Sequence, residues 1–367
     1  MDVTEFIEKN KEKMLEDLKR IIEMETPSYN KKLLDNFVSY FSSYIYKNLG
    51  IKPEIIQSKT NGDDIKVEFG DGEKILLLNH YDTVFEENTI DKRPFKITDN
   101  KIYGPGVFDM KSGIIETVYA LKYLINYSKV SKKIVWLITS DEEIDSTFSR
   151  DIIIKNAQNS KYVLVMESPL NGKLKTERKG VGTLKIITHG LSSHAGLDPD
   201  KGVNAITEMI NIITSVKNSN INGINFDVIN GGSRSNVIPD LCEAEADLRF
   251  KTDDELNNIK KLIQSIKPLY DKTRIDYNYN VRPPMIKTPK AVELFNNARK
   301  IAYDKLHINI EEVSVAGGSD GNFCSYYAPV LDGLGPDGSG AHSDNEFICS
   351  ESLLERSSLL YYLISGL

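Results

Sequence analysis

The chain has 367 residues, 40% hydrophobic and 27% charged, with a formal net charge of −7, which is typical of a globular protein of one large or two ordinary domains. The acidic balance excludes the basic surface that nucleic-acid binding requires, and no apolar run approaches the ~18 residues of a membrane helix. Three separated cysteines argue against a disulfide framework, and a charged N-terminus argues against a secretory signal, so we expect a cytoplasmic protein.

Helix-like and strand-like patterns alternate in the N-terminal half. Apolar residues recur at helical spacing over about the first 25 residues and again over 112–128. Continuous apolar runs at 74–80, 134–140 and 162–168 are typical of strands covered on both faces. This alternation predicts an α/β fold with a mostly parallel central sheet flanked by helices.

The pattern changes after residue 178. Segments between 179 and 284 follow the order strand, helix, strand, strand, helix, strand, which is the order of an α+β ferredoxin-like unit. After 284 the alternation of helix and strand resumes. We therefore predict an α/β domain built from 1–178 and 285–367, interrupted by an inserted domain at 179–284.

Polar side chains gather where the predicted strands end, and ligands of open α/β sheets bind at that edge. These side chains are His80, Asp82, Asp141, Glu142, Glu143 and Glu167, together with Asp109 before a helix and His342 in a Gly-rich stretch. Imidazole and carboxylate ligands without a thiol suit Zn²⁺, Mn²⁺ or Co²⁺. Four or five of them with one shared carboxylate suit two ions.

Seven short blocks occur in order along the chain: NHYDTV, GPGVFDMKSG, DEEIDS, VMES, SSHAG, NVIPD and GAHSDNEF. They resemble the successive motifs of the dizinc exopeptidase family, which contains glutamate carboxypeptidase, aminoacylase, acetylornithine deacetylase and succinyl-diaminopimelate desuccinylase. The resemblance spans roughly residues 70 to 350 in the family's order, which argues against a chance match. Departures from the family pattern at Asn79, Pro105, Ser112 and Asp145 remove no ligand.

The resemblance implies a metal-binding role for five residues. Asp109 would bridge two zinc ions, with Co²⁺ or Mn²⁺ as substitutes. His80 and Glu167 would complete one metal site, and Glu143 and His342 would complete the other.

The resemblance also implies the catalytic groups. Glu142 would act as the general base, and Asp82 would hold His80 through its far ring nitrogen. Asp141 would be only a cap or a surface acid. His194, in the inserted domain, would donate to the developing oxyanion across a dimer interface, which implies a homodimer formed through that domain.

Substrate binding is assigned to the same inserted domain. Resemblance suggests that Asn236 and either Arg249 or Arg282 bind the free carboxylate of the substrate, for which a guanidinium fork is suited. The Gly-rich stretch at 316–323, which includes Gly318, resembles a segment that lines the family's substrate pocket.

We therefore predict a dizinc amide-bond hydrolase with a lid that also dimerises. The first choice is a glutamate-type carboxypeptidase that releases a C-terminal amino acid from short peptides or N-acyl amino acids. The alternative is a biosynthetic deacylase acting on acetylornithine or succinyl-diaminopimelate. A remote third hypothesis is a non-catalytic metal-binding scaffold. Such a protein would lack Glu142 or one of the metal ligands, whereas this sequence contains all of them.

Overall fold

The computed structural model describes all 367 residues, which form two compact units. The first unit contains Met1–Glu177, Met285–Val315 and Ser319–Leu367, so both ends of the chain contribute to it. The second contains Arg178–Pro284 and the short segment Ala316–Gly318. None of the helices combines the length and apolarity that crossing a membrane requires.

A six-stranded sheet organises the first unit. From edge to edge its strands are Glu54–Ile56, Asp64–Phe69, Lys133–Thr139, Lys74–His80, Tyr162–Val165 and Val330–Leu331. The last four run parallel, whereas Asp64–Phe69 is antiparallel to both its neighbours. The predicted mostly parallel sheet is confirmed, although Tyr162–Val165 ends before Glu167.

The central strands are buried because each face covers a separate core. Ile75 and Leu77 belong to the core on one face of the sheet, and Leu76 and Leu78 belong to a second core. Successive side chains of a strand point to opposite faces, so both faces must be apolar. This burial explains the continuous apolar run in the sequence.

Helices surround this sheet. They are Val3–Lys9, Lys11–Ile22, Lys31–Leu49, Thr89–Lys92, Ser112–Tyr127, Arg150–Ala157, Pro289–Leu306 and Ser350–Gly366. The N-terminal helical pattern is two helices that meet at Asn10, which ends the first and precedes the second. A second, four-stranded sheet contains Lys96–Thr98, Lys101–Tyr103, Gly338–Ser339 and Phe347–Cys349, and Leu174–Arg178 pairs with Glu312–Val315.

The second unit has the predicted ferredoxin-like order. Its strands and helices along the chain are Gly180–His189, Ala205–Lys217, Ile224–Gly231, Leu241–Phe250, Asp253–Ser265 and Arg274–Arg282. The four long strands form one antiparallel sheet, with Ile224–Gly231 and Arg274–Arg282 at its edges. A separate ribbon pairs Ser193–His194 with Val237–Ile238.

Candidate metal centre

The carboxyl edge of the parallel sheet carries the acidic and imidazole side chains of the first unit. His80 is the last residue of its strand, and Glu167 follows Tyr162–Val165 by two residues. Glu142 and Glu143 lie in the short helical turn Glu142–Ile144, just after Lys133–Thr139. The parallel strand directions therefore bring segments distant in sequence to one edge.

Asp109 lies between two histidines, and each of its oxygens faces a different one. Its Oδ1 is 3.1 Å from His80 Nε2, and its Oδ2 is 3.2 Å from His342 Nε2. Glu167 Oε1 is 3.4 Å from the same nitrogen of His80, and Glu143 Oε2 is 3.2 Å from that of His342. The structure thus brings two imidazole–carboxylate sets together and joins them at Asp109.

Electrostatics in this cluster depend on the pairing of imidazoles with buried carboxylates. Burial lowers the pKa of His80, but hydrogen bonds to Asp109 and other carboxylates outweigh it and raise that pKa well above its usual range. Hydrogen bonds to Asp109 and Glu143 raise the pKa of His342 to about 11. Burial opposes ionisation of Asp109, yet the two histidines hold its pKa well below the ordinary value. Burial, with the Asp109 charge, raises the pKa of Glu143 to about 7.

In this cluster the positive charge of the two imidazoles offsets the negative charge of Asp109 and Glu143. A divalent cation replaces protons on such groups, because metal ligands bind in their deprotonated forms. The donor set of nitrogen and oxygen atoms suits zinc and similar ions. His80, Asp109 and Glu143 have ligand atoms within 4.8 Å of one another, and so do His80, Glu142 and Glu167.

Asp82 is a fully buried carboxylate that holds two parts of the cluster. The His80 Nδ1 atom lies 3.1 Å from the Asp82 carbonyl oxygen and 3.4 Å from its Oδ1. The backbone N–H groups of Glu142 and Glu143 donate to its two carboxylate oxygens at 3.2 and 3.1 Å. The Ser28 hydroxyl also donates to it, at 2.8 Å. Asp82 therefore fixes both the His80 ring and the turn that carries the two glutamates.

Asp141 is not a surface acid, so that part of the prediction is wrong. It is fully buried and accepts hydrogen bonds from the Ser149 hydroxyl and, at 2.7 Å, from the Phe148 N–H. Burial raises its pKa to about 6 despite these bonds. Asp141 organises the turn that leads into Arg150–Ala157.

Glu346 is a buried residue that the sequence analysis missed. Its carboxylate accepts backbone hydrogen bonds from Gly106, Phe108 and Asp109, and burial nevertheless raises its pKa to about 7. The motif GAHSDNEF contained it, but sequence did not distinguish it from Asp344, whose side chain is 92% exposed. The burial of Glu346, which only the folded structure reveals, distinguishes it from Asp344.

His194 lies in the ribbon of the second unit, and Asn236 directly precedes the second strand of that ribbon. His194 pairs with Val237, and the Asn236 carbonyl accepts from the Ala195 N–H at 2.9 Å. The exposed His194 ring accepts hydrogen bonds at Nδ1 from the N–H groups of Gly196 and Leu197, both at 3.1 Å. Because Nδ1 accepts, Nε2 is the ring nitrogen that remains available to donate.

The two candidate arginines of the second unit have different surroundings. Arg249 is bound to Asp247 through Nε and Nη2, at 2.7 and 2.8 Å, and Nη1 donates to the Ala316 carbonyl. Arg282 is 5% exposed and lies against Gly318, where an added Cβ would be 3.5 Å from Arg282 Cδ. Arg178 donates to the carbonyls of Gly317 and Gly318. Both arginines therefore reach the Gly-rich segment, Arg282 beside Gly318 and Arg249 at Ala316, but the fork of Arg249 is engaged by Asp247.

A fold of this kind with paired imidazoles and carboxylates at its sheet edge is that of a metal-dependent hydrolase. Residues 76–366 match the family described as Peptidase family M20/M25/M40. The chain belongs to this family, whose members are metal-dependent hydrolytic enzymes.

Curated relatives of different activity resemble the chain. Carboxypeptidase G2 of Pseudomonas sp. (strain RS-16) is 28% identical over 96% of this chain and 89% of its own length. Acetylornithine deacetylase of Buchnera aphidicola subsp. Schizaphis graminum is 32% identical over 65% of each chain.

Solved structures share the fold over almost the whole chain. Aminopeptidase PepT from Bacillus cereus ATCC 10987 has a TM-score of 0.77 at 19% identity, covering 97% of this chain and 98% of that one. The Bacillus subtilis YXEP protein, described as a dinuclear metal binding peptidase from the M20 family, has a TM-score of 0.66 at 14% identity, covering 97% and 98%.

Proposed function

We propose that this protein is a dizinc carboxypeptidase that releases the C-terminal amino acid from short peptides or N-acyl amino acids. The double pairing of Asp109 with His80 and His342 carries the proposal, because it is the arrangement expected of a carboxylate shared by two cations. Similarity to carboxypeptidase G2 over nearly the full chain favours a carboxypeptidase within the family.

The metal ligands in this proposal form two sets. His80 and Glu167 hold one ion, Glu143 and His342 hold the other, and Asp109 is shared. Two bound cations supply positive charge that acidifies a water molecule and polarises the substrate carbonyl. The near-complete burial of His80 supports a fixed site rather than a surface ion.

Glu142 is the proposed general base. Its side chain is 8% exposed, and its carboxylate lies within 4.8 Å of the ligand atoms of His80 and Glu167. Glu142 accepts a proton from the attacking water and returns it to the leaving amine. The hydrogen bond from its N–H to Asp82 keeps this carboxylate positioned.

His194 is the proposed oxyanion donor. Its Nδ1 atom accepts from two backbone N–H groups, so Nε2 is the ring nitrogen left to donate. A hydrogen bond from this nitrogen stabilises the negative charge that develops on the carbonyl oxygen.

Arg282 is the favoured partner for the C-terminal carboxylate of the substrate. Arg249 uses two of its nitrogens on Asp247, whereas Arg282 lies against Gly318, where the absence of a side chain allows close approach. Asn236, whose carbonyl accepts from the Ala195 N–H next to His194, is the proposed second carboxylate-binding residue.

The second unit also supports the proposed homodimer. Its edge strand Ile224–Gly231 exposes Val228 and Ile229, at 45% and 51%. An unpaired strand edge with apolar side chains is suited to association with a second copy. The cytoplasmic location predicted from the sequence stays a prediction.

A deacetylase is the second candidate, favoured by 32% identity to acetylornithine deacetylase over 65% of the chain. A deacetylase would use the same metal centre and the same general base as a carboxypeptidase. The two proposals differ only in the substrate that the enzyme selects.

The deciding experiment measures amine release from N-acyl amino acids, dipeptides and tripeptides by mass spectrometry, with zinc, manganese or a chelator. Metal-dependent release of C-terminal amino acids is expected, and Glu142→Ala should retain both metals while losing about 10²–10⁴-fold in kcat. Cleavage restricted to acetyl- or succinyl-diamino acids would instead support a deacylase. No cleavage at all, with metals bound, would overturn the hydrolase proposal.

A further inference from the structure

A cavity of about 330 Å³ lies beside the metal-ligand candidate Glu143 in the first unit. Two segments line it, 27–30 after the N-terminal helices and 83–87 after the strand Lys74–His80, and Ile144 joins Glu143 in its lining. Its volume is at the small end of ligand sites, which suits a single amino-acid residue.

Main-chain bonds hold the two segments together. Pro27 and Thr83 form a parallel bridge, the Ser28 N–H donates to the Thr83 carbonyl at 3.2 Å, and the Thr83 N–H donates to the Thr26 carbonyl at 2.9 Å. The Asn30 amide also donates to Glu87 Oε2 at 3.1 Å. The cavity is therefore preformed.

The cavity borders the candidate metal centre through Glu143. Thr83 directly follows Asp82, and Glu143 both lines the cavity and faces His342 at 3.2 Å. A group bound there is held next to the candidate metal ligands.

The walls combine apolar surface with acidic charge. Tyr29 and Val84 are 89% and 43% exposed, and Phe85 lies beside them. Every charged residue in the lining is a carboxylate: Glu86, Glu87 and Glu143. Glu86 is exposed and forms no ion pair, so its charge is open to a ligand.

This charge decides which end of the substrate fits. The carboxylates of Glu86 and Glu87 would repel a C-terminal carboxylate, and the arginines proposed to bind it lie in the second unit. The cavity therefore suits the acyl side of the scissile bond. An apolar or aromatic side chain matches the exposed Tyr29 ring, whereas the Arg93 guanidinium lies over the Phe85 ring at 4.6 Å from its centroid. A protonated amine matches the carboxylates of Glu86 and Glu87.

We propose that this cavity binds the residue on the acyl side of the scissile bond and selects an aromatic or large apolar residue with a free α-amino group. The proposal rests on the proposed carboxypeptidase function and narrows it to dipeptides with a free N-terminus. It disfavours acyl groups that carry a carboxylate, such as succinyl.

The role of the acidic side chains is tested by measuring the hydrolysis of Phe-Glu and of N-acetyl-Phe-Glu by the metal-loaded enzyme. We expect a higher kcat/KM for the free amine, and we expect the double variant Glu86→Gln/Glu87→Gln to reduce this preference about two- to fivefold. Asp91→Asn removes an exposed carboxylate four residues after Glu87, in the helix Thr89–Lys92 and outside the cavity, and should leave the preference unchanged. Calorimetric binding of Phe-Glu and of N-acetyl-Phe-Glu to Glu142→Ala, which does not cleave them, should show the same preference for the free amine.

The aromatic wall is tested with Tyr29→Ala. It should lower kcat/KM for Phe-Glu about tenfold and leave that for Ala-Glu almost unchanged. Hydrolysis that persists with equal rates for free and acetylated substrates, or with no effect of Tyr29→Ala, would overturn this inference alone. Absence of metal-dependent hydrolysis of every substrate would overturn the proposed function, and this inference with it.

Discussion

Glu346 holds the main chain of Asp109, because Oε1 of its carboxylate accepts a hydrogen bond from the Asp109 N–H at 3.0 Å. The same oxygen accepts from the Phe108 N–H, and Oε2 accepts from the Gly106 N–H, both at 2.8 Å. Glu346 lies four residues after His342. One buried carboxylate thus ties the loop of Asp109 to the loop of His342.

Replacing Glu346 with glutamine should loosen this connection. The amide NH₂ of glutamine cannot accept a hydrogen bond, so a backbone N–H that is now bound to Glu346 would lose its acceptor. Residues that orient metal ligands typically contribute 10- to 100-fold to metal affinity. We expect Glu346→Gln to weaken metal binding by about that factor, measured by titrating metal into apoprotein. Asp344→Asn, in the same loop but exposed, is the matched control. Native metal affinity in Glu346→Gln would contradict the role.

His194→Ala tests the oxyanion donor. Loss of one such donor typically costs about 10²–10³-fold in kcat, and zinc content should not change. His189→Ala is the control, because that histidine of the same unit is bound to Asp276 at 2.8 Å. Bound metal is measured by mass spectrometry, and kcat is measured on the same preparation. Loss of zinc in His194→Ala would place His194 among the metal ligands.

Much of the fold could be predicted from local pattern. The buried strands were found because their apolar runs are continuous. The helix Lys31–Leu49 was not predicted, although Leu34, Phe37, Val38 and Phe41 are buried at helical spacing, so its signal was present in the sequence. The antiparallel position of Asp64–Phe69 depends on long-range pairing that local pattern does not encode.

The site was predictable as a set of residues but not as a network. Motif order indicated the ligand candidates, whereas the bonds from Ser28 to Asp82 and from Gly106 to Glu346 join distant parts of the chain. Only the folded structure reveals such contacts. The pairing of Arg249 with Asp247 was accessible, since residues two apart on a strand share a face.

Arg282→Lys tests recognition of the substrate carboxylate. A lysine is a point charge without the guanidinium fork, and hydrogen bonds to charged groups contribute about 1.5–3 kcal/mol. We expect kcat/KM to fall about tenfold to a hundredfold for peptides with a free C-terminus, with little change for the corresponding C-terminal amides. Arg249→Lys is the matched comparison and should have a smaller effect, because Arg249 is engaged by Asp247. The reverse ranking would assign the carboxylate to Arg249.

Glu116 is a buried carboxyl group away from the candidate site. Neither of its carboxyl oxygens has a hydrogen-bond partner. Arg356 acts on Glu116 only through its charge, without an ion pair between the two side chains. Burial raises its pKa well above the ordinary glutamate value, and Arg356 opposes this only in part. The folded protein therefore retains a proton that the unfolded chain releases.

Glu116→Gln should change how stability depends on pH. Between the ordinary pKa of glutamate and the raised folded pKa, the folded state binds more protons, so wild-type stability falls as the pH rises. The variant has no such group, and its unfolding free energy relative to wild type should increase by up to about 1.4 kcal/mol per pH unit through that window. Denaturant unfolding at several pH values from 4 to 8 measures this slope, with exposed Glu12→Gln as the control. A difference between Glu116→Gln and wild type that stays constant with pH would show that Glu116 is ionised in the folded protein.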